Sequence, residues 1–135
     1  MGYVHVFSIF DGVQIPRSIT RLEFETLTCL YLTNKRNSKI VKQCAEYHGI
    51  DLEEVDENNF IEFLHDQEIL IDCEFLDYFY LGTSAFDTDS NNGQCWSMRM
   101  DEIPKFPAIE PDVFEFIKTV FPHFPIDRYF IHWVV

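Results

Sequence analysis

The sequence predicts an α+β fold: a single globular domain over residues 1–135, with a mostly antiparallel sheet that includes the N- and C-terminal strands, and three to four helices. Three observations predict it. Both ends of the chain, Tyr3 to Ile15 and Ile126 to Val135, are rich in the β-branched and aromatic residues that fit a pleated, half-buried surface. Between them, several stretches carry apolar residues at helical spacing, three of them behind a start signal. One stretch, from Ile71, alternates with a period of two. A chain of 135 residues that is 47% hydrophobic and 16% aromatic has ample material for one core.

Taken in order, Tyr3 to Phe10 reads as the first arm of a hairpin that turns at Asp11-Gly12 and ends at Pro16. Thr20 and Glu23 have the spacing of a capping box, and Ile19 and Phe24 that of a hydrophobic staple, which predicts a helix over about Arg21 to Leu32. The alternation of Leu22, Phe24, Thr26, Thr28, Leu30 and Leu32 leaves a strand open there as well. Ser38 stands before a short helix, Lys39 to His48, with Ile40, Val41, Cys44 and Ala45 on one face and Gly49 as a left-handed cap. A third helix is expected over about Asn59 to Leu70, turning Phe60, Ile61, Phe63 and Leu64 inward and Glu62 and Asp66 outward.

A strand should then run from about Ile71 to Leu81 and stop at Gly82. Thr83 to Gly93 reads as a polar loop, and Gln94 to Met100 as a returning strand with Trp96 and Met98 on one face. Pro111 suits the first position of a helix whose apolar face is Val113, Phe114, Ile117, Val120 and Phe121, ending before Pro122. The C-terminal residues Phe130, Ile131, Trp133, Val134 and Val135 are too apolar for a frayed tail and are expected in the sheet.

Charge is the most uneven property of the chain. The net charge is −13, yet Gln43 to Met98 alone holds fourteen acidic residues and no lysine or arginine, so the rest of the chain sums to +1. Phe60, Ile61, Phe63, Leu64, Phe75, Leu76, Tyr78, Phe79 and Tyr80 lie within the same segment, which gives it the apolar anchors that a disordered acidic tail lacks. A pI near 4.5 argues against direct binding to nucleic-acid phosphates or anionic membranes and favours a basic macromolecular partner. The counter-current is a basic run, Lys35, Arg36, Lys39 and Lys42, expected to be a solvated helix face or a partner for the acids that follow it. No export signal and no apolar run near the roughly 20 residues of a membrane span appear, so the expectation is a soluble, cytoplasmic protein.

Motifs with chemistry are scarce. The five glycines never cluster into a phosphate loop, no nucleophile elbow is present, and no cofactor is expected. Cys29, Cys44, Cys73 and Cys95 form no C-x-x-C pair and read as buried or half-buried thiols. Asp87, Asp89 and Asn91 begin like a calcium loop, but Asn92 replaces its glycine and Met98 its glutamate, leaving an ordinary polar loop as the better reading. The five histidines lack metal-ligand spacing. His5 and His132, on opposite terminal strands, could meet across the sheet beside an acid and act as a general base, the basis of a small-hydrolase alternative.

In size, charge and class the whole chain resembles the small acidic immunity proteins with which bacteria neutralise their own delivered toxins. That resemblance implies no enzymatic activity and a basic partner, a cognate toxin domain such as a nuclease, whose active site is occluded. A nucleic-acid mimic that inhibits a DNA-binding protein is the second binding reading. The expected contact surface combines carboxylates that speed encounter with aromatic anchors: Asp51, Glu53, Glu54, Asp56, Glu57, Glu62, Asp66, Glu68, Asp72, Glu74, Asp77, Tyr78 and Tyr80.

Overall fold

The computed structural model describes residues 5–72, 76–89 and 99–134. Among them the order is β1 (His5–Pro16), α1 (Arg21–Asn34), α2 (Lys39–His48), a 3-10 turn (Leu52–Glu54), α3 (Glu57–Asp66), β2 (Leu70–Ile71), β3 (Tyr78–Asp89), a second 3-10 turn (Met100–Glu102), α4 (Pro111–Val120) and β4 (Asp127–Val134). The strands form one sheet in the order β2-β3-β1-β4, every neighbouring pair antiparallel. The fold class is α+β as expected, and both terminal strands are in the sheet.

The first strand departs from the sequence reading. Asp11-Gly12 is no turn: β1 runs straight through it for 12 residues, with Gly12 opposite Gly82 of β3 and opposite Asp127 of β4. Two glycines meet there because the backbones come too close for side chains. A Cβ on Gly12 would stand 2.0 Å from the Leu81 carbonyl oxygen, and one on Gly82 would stand 2.0 Å from that of Asp11. Asp11 itself is fully buried and receives Nε and Nη2 of Arg128 at 2.6 and 2.7 Å, with the Ala108 amide donating to it at 3.1 Å. Composition signalled a turn; a buried ion pair beside a close strand crossing made the same dipeptide a strand centre.

Helix α1 forms over Arg21–Asn34, two residues longer than expected, with Thr20 accepting from the Glu23 amide as its cap. The strand alternative there is excluded by the burial of Phe24, Thr28, Tyr31 and Leu32, a helical stripe, while Leu22 and Leu30 face solvent. Its threonines fit because Thr26, Thr28 and Thr33 donate to the carbonyls of Leu22, Phe24 and Cys29, one turn back. Helix α2 has the expected limits and Gly49 caps it at φ 64°, although Ser38 makes no side-chain cap bond.

Helix α3 starts two residues early because Asp56 caps it through a reciprocal box with Asn59. It ends at Asp66, not Leu70, and Glu68 at φ 56° reverses the chain so that Leu70 enters β2. The expected strand Ile71 to Leu81 is therefore two strands, β2 and β3, that pair with each other. Nor does β3 stop at Gly82: it continues to Asp89, so the expected polar loop is strand from Thr83 to Asp89. Of the expected returning strand from Gln94 to Met100, residues 94–98 lie outside the described residues, and Met100 begins a 3-10 turn. Helix α4 starts at Pro111 as expected but buries Phe116 fully and leaves Phe114 41% exposed, the reverse of one element of its expected face.

Helices α1, α3 and α4 lie against one face of the sheet, and α2 packs against α3 and α4. Val13, Ile15, Leu70, Phe79 and Leu81 of the strands join Phe24, Tyr31, Ile40, Val41, Phe60, Leu64, Phe116 and Ile117 of the helices in the main core. The alternate strand residues Phe10, Ile71, Tyr80 and Ile131 form a second cluster on the opposite face. The basic run folds back onto helix α4 and the first 3-10 turn: Lys35 and Lys39 lie 3.9 Å from Glu115 and Asp112, and Arg36 donates to the Leu52 and Val55 carbonyls. Among the described residues, no helix is long and apolar enough to cross a membrane.

Candidate functional site: an acid-walled groove

The outward side of α3 does not simply face solvent. Together with the chain entering α1 and the β2–β3 end of the sheet it encloses a groove of about 680 Å³. Ile19, Phe24, Ile61, Leu70 and Phe79 supply its apolar lining, and Glu62, Asp66 and Asp72 stand among its polar residues with His65, Asn58, Arg17 and Arg21. Helical periodicity accounts for the helix side, since Asn58, Ile61, Glu62 and His65 recur three and four apart on α3.

The two arginines at this groove are engaged with acids. Arg17 reaches Asp72 at 2.7 Å and donates from Nε to the Leu76 carbonyl at 2.6 Å, while Arg21 pairs with Glu25 at 3.0 Å along α1. Their local neutralisation leaves Glu62 and Asp66 as the acidic part of the wall. Asp66 also accepts from the Tyr47 hydroxyl at 2.7 Å, which raises the Tyr47 pKa above its ordinary value, chiefly through that hydrogen bond. The nearby Cys44 thiol is pushed up to about 12, first by burial and then by the charges of Asp56 and Glu62. It is therefore a packing residue and a poor nucleophile, whereas Cys29 is exposed; Cys73 and Cys95 lie outside the described residues.

Of the expected contact residues, Asp51, Glu53, Glu54, Asp56, Glu62, Asp66, Glu68, Asp72 and Asp77 are exposed, and Glu57 is partly so. Asp56 is at the same time the cap of α3. Glu74 lies outside the described residues. Tyr78 is 38% exposed at the start of β3, but Tyr80 is only 8% exposed. Tyr80 lies in the middle of the sheet opposite Gln14 and Ile71, its hydroxyl accepting from the Gln14 amide at 3.0 Å, so it is a core residue and no surface anchor. Sequence reasoning missed the groove's Ile19, Phe24 and Phe79, which belong to other elements, and the arginines at its edge. Tertiary packing, of α1 against α3 and of Phe24 on Phe79, brings them together there.

The remaining candidates separate from this site. Asp87 and Asp89 sit on β3 opposite Ser8 and Val6, which removes them from a loop; Asn91, Asn92 and Gly93 lie outside the described residues. His5 and His132 do meet across β1 and β4, Nδ1 to Nε2 at 3.0 Å, with the His132 ring stacked on Phe7. Among the described residues neither is hydrogen-bonded to a carboxylate, and Ser8, bonded to Ser84, points from the other side of the pleat. Among the described residues the pair therefore has neither an orienting acid nor a nucleophile in hydrogen-bond contact. No family model, curated protein or solved structure matches the chain.

Proposed function

We propose that the chain is a soluble, cytoplasmic binding module for a basic protein, and that the partner docks on the acidic surface from Asp51 to Asp77 with the α3 groove at its centre. One observation carries this reading: carboxylates and apolar side chains line the same groove, so one site offers both long-range attraction and a place to bury a side chain. Clustered like charge raises the rate of encounter with an oppositely charged surface, and apolar burial then slows release. A solvated acidic face that served solubility alone would need no such floor.

In its more specific form the module is an immunity protein whose partner is a basic toxin domain, a nuclease being the chemistry best matched to an acidic blocker. The test is a kinetic one, with the product of the adjacent gene as the candidate partner. Glu62→Lys, Asp66→Lys and Glu68→Lys together add two charge units each, moving the net charge from −13 to −7. Association should slow by at least about tenfold at low salt, with a smaller change in release. All three side chains are exposed, so circular dichroism should still report a folded domain. An unchanged association rate returns the segment to a solubilising surface; absence of binding, with no protection of cells that co-express the pair, removes the immunity reading.

A further inference from the structure

We propose that His5 and His132 form a two-imidazole clamp for a divalent transition-metal ion of the zinc, nickel and copper class. The pair lies on the β1–β4 half of the sheet, apart from the α3 groove, and the inference is independent of what that groove binds. His132 is opposite Phe7 in the register and His5 is opposite Val134, so the two imidazoles belong to diagonal positions on the same side of the pleat.

The spacing suits a shared ion. Imidazole nitrogens bind such metals at about 2.0–2.1 Å, which places two ligands of one ion about 2.9 Å apart at a right angle and about 3.3 Å apart at a tetrahedral one. The observed Nδ1 to Nε2 separation is 3.0 Å. With each ring centre a further ~1.1 Å behind its nitrogen, two rings meeting at that separation in a straight N–H···N hydrogen bond have their centres about 5.2 Å apart. The observed centroids are 5.2 Å apart with planes 18° from parallel. The nitrogens therefore face each other across the proton, and an ion about 2.0–2.1 Å from both takes its place beside that line when each ring turns by roughly 30°.

Both rings are already held. The His132 ring lies flat on Phe7, at 4.4 Å and 4°, and Phe7 in turn contacts Phe130, so the clamp rises from an aromatic row and is not two free side chains. Ordering before binding reduces what an ion must overcome. The pair faces solvent, so water can complete the coordination shell. Nitrogen donors favour this class over magnesium or calcium, with copper(II) held tightest. Because the clamp joins the first strand to the last, a bound ion would also tie β1 to β4.

Isothermal titration of the full chain with zinc, nickel and magnesium chlorides tests this, comparing wild type with His5→Gln, His132→Gln and the double variant. The expected result is one zinc or nickel equivalent on the wild type, affinity at least about tenfold weaker in each single variant, and no response to magnesium. Equal affinity in wild type and double variant would overturn the proposal, since the ion would then sit on His48, His65, His123 or the acidic surface. So would the absence of any zinc or nickel binding. Should a variant fail to fold, substoichiometric nickel in the wild type must broaden the ring resonances of His5 and His132 before those of the other three histidines; the opposite order overturns it equally.

Discussion

Replacing Gly12 by alanine distinguishes a strand centre from a turn at Asp11-Gly12. In a tight hairpin turn an asparagine- or aspartate-glycine pair sits at positive φ, and an alanine there costs about 1 kcal/mol of backbone strain. In the structure Gly12 lies between two strands, and its new Cβ would stand 2.0 Å from the Leu81 oxygen and 2.8 Å from the Gly82 Cα. Ordinary contact is about 3.5 Å or more, so two backbones must part by roughly 1.5 Å at the best-connected pair in the sheet. Neither obstacle is a flexible side chain that can swing aside. The cost therefore belongs at the upper end of overpacking, about 3 kcal/mol. Urea denaturation followed by far-ultraviolet circular dichroism should show a midpoint lower by about 1.5 M for a slope near 2 kcal/mol/M. Gly49→Ala is the internal comparison: nothing lies within 4 Å of its Cβ and φ is 64°, so only the strain of about 1 kcal/mol applies. A Gly12→Ala midpoint no lower than that of Gly49→Ala would refute the strand crossing.

Two further outcomes follow from the same core. Asp11→Asn leaves the Arg128 guanidinium without its bidentate carboxylate while Arg128 keeps the Pro104 carbonyl at 2.8 Å and 28% side-chain exposure. That residual solvation lowers the loss from the 3–5 kcal/mol typical of a half-removed buried pair to about 2 kcal/mol, measurable in the same urea experiment. Thiol alkylation of the native protein with peptide mass mapping should modify exposed Cys29 rapidly and Cys44 only on unfolding, because Cys44 is fully buried and its thiol is pushed up to about 12. Equal rates at the two sites would contradict the packing of α2 against α3.

Element existence was legible wherever a periodic apolar face coincided with a local end signal. Pro111, Gly49 and Thr20 each marked a helix boundary through backbone chemistry that needs no distant partner. The errors arose where a distant contact overrode the local signal. Asp11-Gly12 carries turn chemistry, but Arg128, 117 residues away, supplies the charge partner that keeps the aspartate inside. Gly82 and the polar run after it read as a break, but β1 offers 11 partner positions that draw the whole segment into β3. In α4, Phe114 and Phe116 are equally apolar, and only the neighbours Tyr31 and Phe60 decide that Phe116 is the one inside.

The acidic segment was legible as charge but not as shape, and the structure divides its carboxylates by what they do for the fold. Asp56 and Glu57 stand at the N-terminal end of α3, where the helix dipole and the capping box favour them. Asp72 is matched by Arg17. Glu62 and Asp66 differ: they are four residues apart, of like charge, and towards the C-terminal half of a ten-residue helix, where both their mutual repulsion and the dipole oppose them by a few tenths of a kcal/mol each. The hydrogen bond from Tyr47 offsets part of that for Asp66, and no comparable contact stabilises Glu62 among the described residues. The two carboxylates least useful to the helix are thus the two that α3 contributes to the wall of the apolar groove. A basic side chain laid across them would remove the repulsion, place positive charge at the negative end of the helix and let an apolar neighbour reach Ile61 and Phe24 in one docking step.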